Sequence, residues 1–185
     1  MKKDLGSILA LYPTPVLVIG AMVDNKPTWT LCAHIGIPSH SLIMVSLVKA
    51  HYINKGINQT KKLSINIVDE SWLDKADYMG CVSGNKFDKS KFFKFSEGKL
   101  GTPIIDEAKL SLECSVQDIY NADVFDNFML KIEHTYADES ILNDENKIDY
   151  NKFKPVLFEF PTYSYLSTGN IIAKCREISK NKFDK

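Results

Sequence analysis

Four short apolar segments, each bounded by turn-forming residues, dominate the N-terminal part of this chain. They are Thr14–Val23 (TPVLVIGAMV), Trp29–Ile37, Ser41–Val48 (SLIMVSLV) and Leu63–Val68 (LSINIV). Short runs rich in Val and Ile form strands, and Asp24-Asn25-Lys26-Pro27 between the first two reads as a hairpin turn. Regular alternation of strands with long helices is missing, which argues against a doubly wound dinucleotide fold, where each strand is followed by a crossover helix. The expected sheet is therefore antiparallel, closed as a barrel or stacked as a sandwich.

The remainder of the chain continues this pattern. From Leu110 to Ile119, Leu110, Leu112, Cys114 and Val116 face one way and Ser111, Glu113, Ser115 and Gln117 the other, the pattern of a strand with one buried face. Asn127–Tyr136 and Pro155–Phe160 complete a set of about seven strands. Helical signals are short. His51–Lys62 places Ile53 and Ile57 on one face, and Ser71–Met79 has Asp69 or Ser71 as N-cap and Gly80 as a stop. Lys86–Phe95 reads as a third short helix carrying Phe92 and Phe93, and the acidic Asp138–Asp149 segment as an exposed loop or a short excursion from the barrel. With no repeat, low-complexity tract or linker, residues 1–185 are expected to form a single domain.

Composition narrows the functional classes. An apolar content of 44% and a charged content of 25% are those of a globular chain. Lys plus Arg and Asp plus Glu both number 23, so no general attraction to nucleic acid or anionic lipid is expected. The apolar stretch from Ile8 to Val23 follows Lys2 and Lys3 like a signal peptide, but Asp4 dilutes the basic region and Pro13 and Pro15 interrupt the run. No stretch approaches a membrane span. Cys32, Cys81, Cys114 and Cys175 include no CxxC pair and are too sparse for a disulfide framework. Free thiols in a reducing cytoplasm are the expectation.

Motifs for nucleotide-phosphate loops, zinc proteases and serine hydrolases are absent. His34, His40, His51 and His134 are scattered, and no metal site is expected. The pairs Asp69-Glu70 and Asp144-Glu145 suit capping and solvation better than acid–base work. Two segments stand out. In Ser46–Asn54 a strand ends in a basic turn that opens a helix, where backbone N–H groups and Lys49 would attract a phosphate; an ordinary strand-to-helix junction is the simpler reading. In Met79–Lys89, Gly80 and Gly84 flank Cys81 and Ser83 and allow close approach to a ligand, or equally form a helix cap and turn.

The residues Tyr12-Pro13-Thr14-Pro15-Val16-Leu17-Val18-Ile19-Gly20, then Asn25-Lys26-Pro27, then Ala76-Asp77-Tyr78-Met79-Gly80-Cys81-Val82-Ser83-Gly84 with Asp88-Lys89 resemble the flavin reductase-like, FMN-binding split-barrel family, which includes the flavoredoxins. Pro103-Ile104-Ile105, Leu110–Cys114, Lys147-Ile148-Asp149 to Lys154-Pro155, and Tyr163–Gly169 follow in family order. The resemblance implies a mainly β fold, a six-stranded antiparallel Greek-key split barrel with short peripheral helices, binding FMN at a homodimer interface. Carried onto this chain, it implies that Thr30, Leu31, Cys32 and Ala33 line the ring and ribityl chain. It also implies that Ser46, Leu47, Val48, Lys49, Tyr52 and Asn54 surround the phosphate, and that Met79, Gly80, Cys81, Val82 and Ser83 close the ring site. Leu31 and Ala33 stand where the family often has Thr and Ser, and Ser39-His40-Ser41 replaces a usual Asp-Pro-Pro turn.

The function implied is an oxidoreductase whose bound FMN supplies the redox chemistry, with NAD(P)H as electron donor and a flavin, a metal complex or a redox protein as acceptor. No side-chain acid or base is obligatory for such a transfer. Two alternatives remain: a flavoredoxin-type electron carrier not reduced directly by nicotinamide, and a non-redox ligand-binding module on the same barrel. Cys32 and Cys81 read as small hydrophobes or as thiols near a flavin.

Overall fold

The computed structural model describes residues 1–178. Its main sheet has seven strands, β2 (Leu17–Val23), β3 (Lys26–Cys32), β4 (Ile35–Ser39), β5 (Leu42–Val48), β6 (Lys62–Ile67), β9 (Leu110–Ala122) and β10 (Phe125–Ala137). They lie in the order β3-β2-β6-β9-β10-β5-β4, and every neighbouring pair is antiparallel. The end strands β3 and β4 are one bent length of chain interrupted at Ala33 and His34, with Ser46 N donating to His34 O at 2.9 Å. The sheet thus curls onto itself as a six-stave Greek-key barrel, and the seventh strand is that interruption. β1 (Thr14–Pro15), β11 (Leu157–Glu159) and β12 (Ser164–Leu166) form a small sheet, and β7 (Phe95–Glu97) pairs with β8 (Pro103–Ile105).

Local chemistry explains the joints. Asp24 and Asn25 both take positive φ, as a two-residue hairpin requires, so β3 starts at Lys26, earlier than expected. Pro27 is accepted in a strand because β3 has only β2 as a ladder partner. Helix α1 (Ile53–Thr60) crosses from β5 to β6, and Gly56 lets it lie on β2, where a Cβ would collide with the Met22 carbonyl oxygen. Asp69 caps the turn before α2 (Leu73–Cys81) by accepting from Ser71 N at 2.9 Å.

Two apolar cores flank β2. Leu17, Ile19 and Ala21 point into the barrel with Val45, Leu63, Ile65, Phe128 and Leu130. Val16 and Val18 point outward to Trp29, Trp72, Met79, Phe93 and Ile105. That double burial is why this strand reads as a nearly continuous apolar run.

Several expectations are corrected. Lys86–Phe95 forms turns, because Asp88 accepts from Ser90 N at 2.9 Å and Lys89 is pulled inward. Gly80 lies inside α2 and does not stop it; a Cβ there would sit 2.9 Å from Leu31 Cδ2. The acidic 138–149 segment carries a 3-10 turn, Glu139–Ile141, whose Ile141 inserts into the barrel core. At the start of β9 both faces are covered, since Leu110, Ser111, Glu113 and Cys114 are all buried. Glu113 is enclosed as a carboxylate nest, accepting from Leu100 N, Thr102 N and Oγ1, and Tyr136 Oη. Among the described residues no helix is long and apolar enough to cross a membrane.

Candidate functional site

Because β3 pairs with β2 alone, its other edge along Thr28–Leu31 carries backbone N–H and C=O groups that no strand satisfies. The gap between that edge, the turn after β5 and the C-terminal end of α2 is a cavity of about 220 Å³. Thr28, Thr30 and Leu31 form one wall, His51 and Tyr52 the second, and Met79 to Gly84 the third, with Lys89 at its side. The walls approach closely because glycines stand at the contacts. A Cβ on Gly84 would lie 3.0 Å from the Tyr52 Cβ, and one on Gly80 would press on Leu31.

Two further cavities continue this one along β3. One, of about 330 Å³, shares Thr28, Tyr52, Gly84 and Lys89 with it and adds Lys26 and Lys86. The other, of about 130 Å³, shares Leu31 and is walled by Tyr12, Ala33, Phe158, Phe160 and Tyr165. From Pro27 to Ala33 the strand spans roughly 20 Å at about 3.3 Å per residue. The three cavities therefore form a graded groove: aromatic at the Ala33 end, hydrogen-bonding in the middle and cationic at the Lys26 end.

The electrostatic centre of the groove is Lys89, only 4% exposed. Its Nζ donates to Trp29 O and to Met79 O, both at 2.9 Å, so it ties β3 to α2. None of the ion pairs among the described residues includes it. Burial lowers its pKa to about 8. A desolvated ammonium without a carboxylate is the environment that an anionic ligand completes.

The structure gathers some of the anticipated residues and separates others. Thr30, Leu31, Tyr52, Met79, Gly80, Cys81, Val82 and Ser83 line the central cavity, and Cys32 and Ala33 the aromatic one. The Cys32 thiol lies in the barrel core, 3.6 Å from His34 O, and burial pushes it up to about 12, so it stays protonated. Ser46, Leu47, Val48, Lys49 and Asn54 lie outside these cavities. Ser46 Oγ donates to Asn127 Oδ1 at 2.6 Å, and Leu47 is core. Asn54 Nδ2 donates to Val48 O at 3.1 Å, and Lys49 Nζ to Asp123 O at 2.8 Å. Thr28, His51, Gly84 and Lys89 also line the central cavity; none belongs to the cofactor set that the resemblance implies, although His51, Gly84 and Lys89 lie in the two segments singled out in the sequence. Gly84 and the Asp88-Lys89 pair fell within the resemblance, but nothing in their spacing shows that Lys89 turns inward. All four cysteines are free, and no cluster of His, Cys, Asp or Glu suited to a metal occurs among the described residues.

Comparison with known proteins agrees with this architecture. The flavin reductase like domain family matches residues 9–166. Flavoredoxin from Methanosarcina acetivorans is 30% identical, with 98% of each chain covered and a TM-score of 0.92. Flavoredoxin of Desulfovibrio vulgaris (Miyazaki F) is 30% identical, with 97% of this chain and 100% of that chain covered and a TM-score of 0.90. An FMN-binding protein from Thermus thermophilus, 17% identical over 94% of this chain and 97% of its own, shares the fold with a TM-score of 0.80. A search of curated proteins gives no match.

Proposed function

This chain belongs to the flavin reductase-like domain family, and from that premise we propose that it is an FMN-binding oxidoreductase whose cofactor lies in the β3 groove. The observation that carries the reading is the grading of the groove. A flavin mononucleotide has a planar aromatic ring at one end, a hydroxylated chain in the middle and a phosphate at the other. The groove offers Ala33, Phe158 and Tyr165, then Thr28, Thr30 and the free β3 edge, then Lys89, Lys86 and Lys26 in the same order. In this reading Leu31 and Gly80 hold the ring side, Tyr52 and Ser83 enclose the chain, and Lys89 supplies the charge that balances an anionic ligand. When bound, the flavin supplies hydride and electron transfer; the protein positions it and restricts water.

Reduction by NADH or NADPH, followed by transfer to a flavin, a metal complex or a protein, is the proposed cycle. The second reading, an electron carrier not reduced by nicotinamide, is favoured by the two flavoredoxins at 30% identity. We place either activity in the cytoplasm, in keeping with four free thiols. A homodimer is proposed because Leu9, Leu11 and Ile172 are strongly exposed, Ile172 at 99%, and a second copy would cover them. The test is the visible spectrum of protein incubated with FMN and desalted, before and after anaerobic NADH or NADPH. Retained flavin that bleaches with nicotinamide supports the reductase; bleaching only with dithionite supports the carrier; colourless protein refutes both. Sedimentation at several concentrations tests the dimer, and a monomer throughout refutes it.

A further inference from the structure

Two segments that carry the family resemblance, Ala76–Gly84 with Asp77 and Tyr163–Gly169 with Tyr165, meet in one hydrogen bond, although 88 positions separate its two residues. Tyr165 on β12 donates its phenolic proton to Asp77 Oδ1 on α2 at 2.6 Å. Cys81 Sγ lies 3.8 Å from Asp77 Oδ2 and donates to it. Tyr165 lines the aromatic cavity and Cys81 the central one, so one carboxylate is bonded to a residue of each. Burial, and then the bond to Asp77, raise the Tyr165 pKa, so the phenol stays neutral.

The arrangement sets the polarity on the Tyr165 side of the aromatic cavity, whose other polar lining side chains are Tyr12 and His34. A phenol has one proton, and here it is committed to Asp77; toward a ligand the oxygen has only lone pairs to offer. The half-buried Asp77 charge sits one hydrogen bond behind it and opposes an anion placed there. Lys89 provides the opposite sign beyond Leu31. The groove is therefore polarised along its length as well as graded in apolarity.

We propose that Asp77, acting through Tyr165, is a positioning residue that makes the aromatic end of the groove select an uncharged planar ligand bearing an N–H or O–H donor, and resist negative charge there. The proposal rests on the flavin reading in one consequence. An oxidised flavin ring is neutral, whereas reduction adds negative charge, so Asp77 weakens binding of the reduced form relative to the oxidised one and lowers the midpoint potential.

Asp77→Asn and Tyr165→Phe test this with two readouts. In FMN-loaded protein at fixed pH, Asp77→Asn should leave the oxidised-state dissociation constant within about threefold and tighten the reduced state about tenfold, a rise of about 30 mV for a two-electron couple. Tyr165→Phe, which keeps the carboxylate, should weaken oxidised-state binding without raising the potential. An unchanged potential in Asp77→Asn overturns the consequence for flavin. Independently of FMN, calorimetry at about pH 6 compares neutral p-hydroxybenzaldehyde with anionic p-hydroxybenzoate on apoproteins carrying Lys89→Met, which removes the competing cation. With Asp77 intact the aldehyde should be preferred by about tenfold or more, and adding Asp77→Asn should reduce that preference to less than about threefold. Equal affinities with Asp77 intact, or no binding of either, overturn the proposal. A wild-type protein that fails to retain FMN would refute the flavin reading while this second comparison still decides the selectivity.

Discussion

Replacing Lys89 by Met keeps the side chain's length and removes its charge. Burial lowers the Lys89 pKa from 10.5 to about 8, so holding it charged costs about 3 kcal/mol at about 1.4 kcal/mol per unit. The two hydrogen bonds to Trp29 O and Met79 O return about 1 kcal/mol each, so near neutral pH the variant's apoprotein should differ from wild type by only about 1–2 kcal/mol. The pH dependence is more telling. The folded state holds this proton less tightly than the unfolded state, so stability rises with pH between the two pKa values. The penalty is full below about 8, shrinks between about 8 and 10.5, and is gone above that range. Cys32 and Cys114, both pushed up to about 12 from 9.0, act in the opposite sense, because their neutral forms stabilise the fold below pH 9.0 and that stabilisation is lost toward 12. Subtracting the variant's thermal midpoint from that of wild type cancels the cysteines. The difference should rise by about 5–10 °C from pH 7 to pH 10.5, at about 2–4 °C per kcal/mol for a chain of this size. Titration with FMN at pH 7 should show the variant's affinity down by at least about tenfold, from loss of a charge-assisted contact. A flat difference curve would refute the buried, uncompensated charge; a sloping curve with unchanged FMN affinity would leave the charge and remove it from the ligand site.

Glu113→Gln should lower stability by about 2–4 kcal/mol, since an amide nitrogen would face donors that now meet a carboxylate. Burial raises the Glu113 pKa, but bonds from Tyr136, Thr102 and Leu100 outweigh it and hold the carboxyl below 4.5. Wild-type stability should consequently fall more steeply than the variant's as pH drops below 4.5, and parallel acid curves would contradict this. Gly84→Val places its side chain against Tyr52 and should weaken FMN binding about tenfold while the apoprotein melts within a few degrees of wild type. Gly56→Ala should cost about 1–3 kcal/mol in chemical denaturation, because α1 must lift off the Met22 carbonyl; an unchanged midpoint would show that the helix moves freely.

The barrel was legible because its signals are local. Alternation in β9, the Asp24-Asn25 turn and the apolar runs of β2, β5 and β6 each specify a strand without reference to the rest of the chain. What escaped was whatever depended on a distant cover. Ser111 and Glu113 alternate with apolar residues as a solvated face would, yet the segment from Phe95 to Ile105 covers them, and Asn66 accepts from Ser111 Oγ at 2.9 Å and from Ile105 N at 3.0 Å to hold that segment down. Ile141 carries no periodicity at all within an acidic stretch, and only the open end of the barrel gives it a place. The Lys86–Phe95 region reads as a short helix carrying Phe92 and Phe93, but Asp88 and Ser90 compete for its backbone.

The same distinction decides the site. Glycines at 80 and 84 and the chain around Tyr52 line the central cavity, whereas Lys49, the cation that the sequence suggests, lies outside it and Lys89 lies inside. Lys49 stands at a strand-to-helix junction, where a phosphate site is easily imagined, and its ammonium finds Asp123 O within reach. Lys89 stands among lysines and phenylalanines that resemble a solvated amphipathic face, and it is the one whose charge is enclosed. A charge's value to a ligand is set by what else can neutralise it, and the carbonyls of Trp29 on β3 and Met79 on α2 that hold Lys89 bring no opposite charge. Asp77 illustrates the converse: its helical neighbours predict a solvated carboxylate, while a tyrosine from the far end of the chain turns it toward the groove. The two opposite charges that polarise the groove are thus both products of tertiary closure, so the segment that holds a ligand is easier to read from sequence than the sign of charge that ligand must carry.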